Sequence, residues 1–429
     1  MRFLQLSFFF LFALTAGAKN YYVSSSGGDD ANSGDAPANA LKSITAVNEM
    51  MLQPGDTILF RRGDVFRGQL VIRQSGTEQQ PVVVTAYGTG APPVIKGSEE
   101  IQATWTLYKD NVYKAILGFH PWFVFVNDQW HSIARSPNNN QFYPVTQSAP
   151  QFPATKTIGV GSLKGMSDLA GAYVTVQTSG STIVTRMATA FNPATGELTL
   201  DQDRRGDAKE ILPGYETGYG IILSNKLQFL DAPREFYYDT LQREIYLQCY
   251  NNAAPGGLIE GSVYDYGVQL SGRGVRNVVI SMIDFRQQRM AGIFLPDGSE
   301  GITIDHCHFT SLPDATIADQ NSSNISKKLQ FTNNVIRDAF KTGAVLGNFT
   351  NGKITGNDLF RCGLNVNMAE WMNLSGSHFS SGCGISANAD HSEFSNNRID
   401  SAGHSGIAFG SKNYTHNLVT HNVVSGYCV

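Results

Sequence analysis

Charge is scarce in this chain: 16% of its 429 residues are Asp, Glu, Lys or Arg, and the formal net charge is -4. No run of Lys or Arg supplies the basic footprint that neutralising phosphates requires, which excludes nucleic acid as a partner. Cysteine is sparse too. The five present (Cys249, Cys307, Cys362, Cys383, Cys428) are odd in number and show no CxxC spacing, so neither a dense disulfide framework nor a structural zinc site is indicated. Cys362 and Cys383 flank one segment, as a bridge across it or as buried thiols. Beyond the amino terminus no apolar run reaches the roughly 18 residues of a membrane span. EF-hand loops and D-x-D clusters are missing, so calcium is not expected, and no cofactor motif is present.

The amino terminus reads as an export signal over residues 1–18. Arg2 is the positive end, "FLQLSFFFLFALT" the apolar stretch, and Ala16-Gly17-Ala18 the small-residue cleavage site. The expected product is a secreted protein starting near Lys19. What is abundant is glycine, 43 residues, with 11% aromatics, the profile of an extracellular β protein.

The second half of the chain repeats. Apolar residues five apart recur at Ile280/Phe285, Ile304/Phe309, Phe331/Ile336, Ile354/Leu359, Phe394/Ile399 and Val419/Val424, and the starts differ by 24, 27, 23, 40 and 25 residues. A period in the twenties is that of a solenoid whose coils cannot bury their apolar faces alone. Two residues before the second apolar position stand Asn334, Asn357, Asn397 and Asn422, which predicts a stacked asparagine ladder at a left-handed corner. Seven residues after it come Gly292, Gly343 and Gly406, opening strands such as "GIFL" and "GIAFG".

The segments "IDHCHF", "FTNNVI", "ITGNDL", "FSNNRI" and "THNVV" resemble the right-handed parallel β-helix repeat of polysaccharide lyases, many glycoside hydrolases and phage tailspikes; the likeness covers residues 263–429 of an expected repeat domain at 256–429. Residues 19–99, with "GDD", "PGDT" and "AYGTGAPPVIKG", resemble the amino-terminal part of secreted β-helix carbohydrate enzymes. A helix over 41–51 is expected to cap the open end there. Hairpin patterns such as "MATAFNPATGELTL" predict an inserted antiparallel β domain at 100–255. Within it, "WFVFVNDQWHSIARSPN" is similar to an element of β-helix glycoside hydrolases, and this resemblance makes Trp130 and Arg135 candidates for sugar contact.

The resemblance implies a substrate groove along the face made by the Gly-initiated strands, filled by an extended polysaccharide. The 40-residue interval between Ile354 and Phe394 carries an extra loop, "CGLNVNMAEWMNLSGSHFSSGCG", expected to wall that face. In it Trp371 offers a stacking surface, and Glu370 and His378 are candidates for hydroxyl contacts. Adjacent parallel strands are about 4.8 Å apart, so carboxylates one coil apart suit a retaining glycosidase and two coils apart an inverting one. Asp297, Asp314, Asp319 and Asp390 are the acidic candidates, with Glu393 nearby; Asp390 is first, and Asp319 and Asp297 complete the catalytic set. His306, His308, His404 and His421 read as corner residues rather than metal ligands.

A glycoside hydrolase is the leading expectation. A lyase would need a base, and "TSLPDATIADQ" contains no Lys or Arg to supply one; a non-catalytic glycan-binding protein is the third reading. The chain stops within a coil, which leads to the expectation of a further segment or of an oligomer covering that end.

Overall fold

A computed structural model describes residues 17–427, apart from 139–140, 147–148, 153–156, 180–181, 202–211, 216–219, 273, 319–323, 365–381 and 411–414. Most of the segment read from sequence as an export signal, together with Asp319, Glu370, Trp371 and His378, therefore lies outside the described residues. Among the described residues no helix is long and apolar enough to cross a membrane.

The fold is nearly all β. Two large sheets, of 13 and 11 strands, run in parallel through both the first hundred residues and the second half. Each strand pairs with its equivalent about one repeat later, so the chain climbs in rungs: Ile280 lies beside Ile304, Ile304 beside Phe331, Phe331 beside Ile354, Ile354 beside Phe394 and Phe394 beside Val419. The second apolar residues stack likewise, Phe285 on Phe309, then Ile336, Leu359, Ile399 and Val424. These two columns fill the interior, and all but the last rung's residues are fully buried.

The asparagine ladder forms as the spacing predicts, with one correction. Asn334 donates through its amide nitrogens to Asn357 Oδ1, Asn357 to Asn397 Oδ1 and Asn397 to Asn422 Oδ1, each at 2.8–3.1 Å. The left-handed corner, however, belongs to the preceding residue: Met282, His306, Asn333, Gly356, Asn396 and His421 have φ of 51–70°. Turning the chain one residue earlier aims the ladder amide inward, where it also reaches a strand carbonyl of the preceding rung, as Asn357 Nδ2 does at Phe331 O.

The repeated glycines have a steric cause. A Cβ at Gly292 would lie 2.5 Å from Phe309 Cδ1, at Gly343 2.6 Å from Leu359 Cδ2, and at Gly406 2.4 Å from Val424 Cγ1. Gly267 against Phe285 and Gly384 against Ile399 extend the column. Each glycine makes room for the apolar side chain of the rung that follows.

The helix expected over 41–51 is only Ile44–Asn48, started by Ser43, whose Oγ accepts from the Ala46 amide at 3.2 Å. It lies against the strand Leu70–Ile72, tied by Asn48 to Gln69 O and the Val71 amide, and adds Ile44 and Val47 to the core. So short an element does not support the expected helical cap.

Between Ser98 and Ser262 the pairing becomes almost entirely antiparallel, in sheets of eight, seven and two strands with their own apolar clusters. These sheets are locked to the parallel rungs by buried charge. Glu260, fully buried, accepts from Lys96 Nζ at 2.7 and 2.9 Å and lies 2.7 Å from Arg67 Nη2. Lys96 and Arg67 occupy equivalent places on adjacent parallel strands, so one carboxylate clamps two rungs.

Replacing Asn357 by Ala removes four ladder and strand hydrogen bonds and strands buried partners, which should cost roughly 3 kcal/mol or more. Asn422→Ala, at a partly exposed rung, should cost about 1 kcal/mol. Urea unfolding of the two variants checks the ordering.

Candidate functional site

The antiparallel sheets meet the rungs along one corner, and the chemistry gathers there. The strands Tyr266–Leu270, Ala291–Leu295, His308–Ala318 and Val335–Thr342 place Tyr266, Ala291, Asp314 and Thr342 side by side in register. The next rungs bring Cys383 and Ser405 to the same corner, through the Gly343 amide bonded to Cys383 O and the Cys383–Ser405 register. The row therefore carries Asp265, Arg289, Asp314 and Lys341 on four successive rungs, and His404 two rungs beyond Lys341.

Aromatic side chains of the antiparallel sheets cover one flank. Trp122 lies under the Arg289 guanidinium, 4.6 Å from ring centroid to charge, and His120 stacks on Trp122 at 4.6 Å. Arg289 in turn pairs with Asp265. Burial, and then the Arg289 charge, lowers the His120 pKa. Two rungs along, Phe340 meets Phe123 and Trp130, both at 5.5 Å. Tyr266, beside Asp265, has its phenol pushed up to about 12, mainly by burial. Asp314 and Lys341 are buried at 2% and 5% exposure.

The stems of the extra loop also meet this corner. Its described stems are Gly363 and Gly382, so close that a Cβ at Gly363 would lie 2.1 Å from Gly382 Cα. Gly363 N donates to Ala339 O, Gly382 N to Lys341 O and His404 N to Gly382 O. The loop thus leaves and rejoins the stack at the corner between Lys341 and His404. Cys362 and Cys383 beside these stems are both buried free thiols. Burial pushes the Cys362 thiol up to about 12, so it is held as an unreactive core group.

The acidic residues chosen first from sequence sit elsewhere. Asp390 closes the strand Cys383–Asp390, roughly 20 Å of extended chain from the corner row. Its Oδ1 accepts from the Thr415 and His391 amides at 3.0 and 3.1 Å. Although desolvation opposes it, hydrogen bonding from the His391 side chain and these amides holds the carboxyl below the usual range. Asp297 follows the strand Ala291–Leu295 three rungs earlier on the same side, beside Pro296, Ser299, Leu329 and Asn348. Three rungs amount to roughly 14 Å, beyond either glycosidase spacing, so the structure does not bring Asp297 and Asp390 together as a pair. Arg135 lies in the seven-stranded sheet opposite Ser224, its Nε donating to Pro137 O at 3.3 Å. Asp265, Arg289 and Trp122 were missed, because nothing in the repeat marks the corner that an inserted sheet will cover.

No protein-family profile matches the chain. It is 36% identical over 112 residues to a lacto-N-biosidase of Bifidobacterium longum subsp. longum, a match covering 25% of this chain and 7% of that protein. Among solved structures, one described as a glycoside hydrolase superposes with a TM-score of 0.65 at 13% identity, covering 96% of each chain. The structure of XylC in complex with xylose gives 0.58 at 14% identity, over 95% of this chain and 64% of that one. At such identities the structural likeness is one of fold.

Behind the corner, Glu235 is buried and accepts from the Arg135, Asp231 and Ala232 amides at 3.3–3.4 Å. Burial nonetheless pushes its carboxyl up to about 8. The folded chain then holds a proton that the unfolded chain has lost, so this group's contribution to stability falls as pH rises from about 4.5 to about 8. Glu235→Gln should remove that slope: urea midpoints of wild type should decline relative to the variant across this window.

Proposed function

We propose that the chain is a secreted carbohydrate-active hydrolase of the right-handed parallel β-helix type, with residues 100–255 forming an inserted domain that walls its groove. The observation that carries this reading is the corner row, where Asp314 is in register with Tyr266 two rungs away and Asp265 is the residue before Tyr266, near an aromatic flank and the stems of a long loop. Two rungs are roughly 9–10 Å, near the upper end of the 6.5–9.5 Å of an inverting pair. In that mechanism one carboxyl protonates the departing glycosidic oxygen while the other draws a proton from water attacking the opposite face of the sugar. The enclosed Asp314 suits the donor. Asp265, half exposed and oriented by Arg289, suits the base, which must reach water.

Trp130 on the flank, with Trp371 in the loop, offers a surface on which a pyranose ring would stack, and Glu370 and His378 are assigned to hydroxyl contacts. An extended polysaccharide is the proposed substrate. The proteins the chain is similar to support a sugar substrate by their names, a lacto-N-biosidase, a glycoside hydrolase and a xylose complex. Export through residues 1–18 is part of the same proposal.

The chain incubated with a panel of neutral and acidic polysaccharides should release reducing ends, and proton NMR of the first product should show the inverted anomer. Asp314→Asn and Asp265→Asn should each lower the rate by about a hundredfold or more. An ultraviolet-absorbing unsaturated uronate would instead make it a lyase, and retention of glycans without products a binding protein. Unchanged rates in both variants would remove the corner row from the chemistry.

A further inference from the structure

The corner at the far end of the strand Cys383–Asp390 has no part in that mechanism, yet three potential ligands converge there. Asp390 Oδ2 is 3.1 Å from His391 Nδ1, and Asp390 Oδ1 is 3.9 Å from His416 Nδ1. The two imidazoles stack, with centroids 4.4 Å apart and planes 25° from parallel. One ligand atom from each of the three residues lies within 4.8 Å of the others. From these contacts we infer a divalent transition-metal site, of the kind that takes Zn²⁺, ligated by the Asp390 carboxylate, His391 Nδ1 and His416 Nδ1.

The geometry is close to what an ion demands. Tetrahedral zinc with ligand bonds of about 2.0–2.1 Å places its ligand atoms about 3.4 Å from one another, and the 3.1 and 3.9 Å separations here bracket that figure. Both histidines are positioned by backbone rather than by chance rotation. His391 and His416 occupy left-handed corners with φ of 48° and 60°, and the His391 amide donates to Thr415 O of the next rung at 3.1 Å. Each ring is more than half exposed, so an ion has open access and a fourth position remains for water.

An Asp-His step alone is a turn device in this fold. His306, at the left-handed corner beside the asparagine ladder, simply bonds Asp305 at 2.6 Å. What sets the Asp390 corner apart is a second imidazole, delivered by the following rung onto the same carboxylate. Thr415 completes the arrangement. Its Oγ1 lies 2.7 Å from His416 Nδ1 and 3.3 Å from Asp390 Oδ1, so when a metal takes the imidazole nitrogen the hydroxyl remains placed to donate to the ligating carboxylate. A bound ion would then tie rung to rung at an exposed edge, as the asparagine ladder does in the interior.

The test is calorimetric titration of the EDTA-dialysed full chain with ZnCl₂, followed by visible spectroscopy with Co²⁺ in its place. One equivalent per chain is expected, with Co²⁺ bands in the visible. His391→Ala and His416→Ala should each weaken zinc binding roughly tenfold or more, whereas His306→Ala should leave it unchanged. Melting in EDTA establishes that each variant folds, and His391→Asn, which keeps a residue tolerant of the left-handed corner, replaces any that does not. Absence of stoichiometric zinc binding, or binding of wild-type strength in the folded His391 and His416 variants, would overturn the assignment.

Discussion

An apolar side chain on each rung occupies the volume that a Cβ on the previous rung would need. Phe309 fills the space over Gly292, Leu359 that over Gly343 and Val424 that over Gly406, all at separations no real Cβ tolerates. This interlock fixes the vertical register of the stack. A slip of one residue would turn a side chain into the space and expose its apolar partner. The asparagine amides fix the same register by another means, since each buried carboxamide is satisfied only by the equivalent residue one rung away. Steric and polar constraints thus agree rung after rung, and the repeat in sequence is the trace of that agreement.

With the stack rigid, function is a matter of what is fastened to it. Glu260 reaches across from the antiparallel sheets to Lys96 and Arg67, with Gln287 donating to the same carboxylate at 3.2 Å. Removing one member of such a buried group leaves an uncompensated charge, typically costing 3–5 kcal/mol. The lock therefore resists rearrangement even if its net contribution to stability is small. Its consequence lies along the corner, where Trp122, Phe123 and Trp130 are held against Arg289 and Phe340. The aromatic flank is as fixed as the stack itself, which is the preorganisation that binding an extended ligand requires.

The interior was readable from the chain because its determinants are local and periodic. The Ile/Phe pairs at a spacing of five, the ladder asparagines and the glycines all recur at offsets that one-dimensional inspection detects, and each lies where the pattern puts it. The corner row was not readable in this way. Asp314 belongs to a repeat and was visible as a candidate, but Asp265 and Arg289 acquire meaning only through Trp122, more than a hundred residues away in the chain. Asp390 lies away from this row for the complementary reason. It follows a Gly-initiated strand, as a groove residue should, but that strand is long enough to carry it to the opposite corner. Position within a repeat is periodic, whereas the side of the stack depends on strand length.

Strand length also separates two kinds of chemistry. Along a parallel stack, equivalent residues can approach one another only in steps of about 4.8 Å. A pair meant to flank a glycosidic bond must therefore lie one or two rungs apart, which couples the stereochemical outcome to a count of rungs. The proposed pair comes near the two-rung condition because Tyr266, the residue after Asp265, is in register with Asp314 two rungs away. At the Asp390 corner, two consecutive rungs instead present adjoining polar pairs, Asp390-His391 and Thr415-His416, whose side chains lie in contact. Groups already touching leave no room for a sugar and its attacking water between them. Such close approach is the spacing that the proposed single metal ion requires.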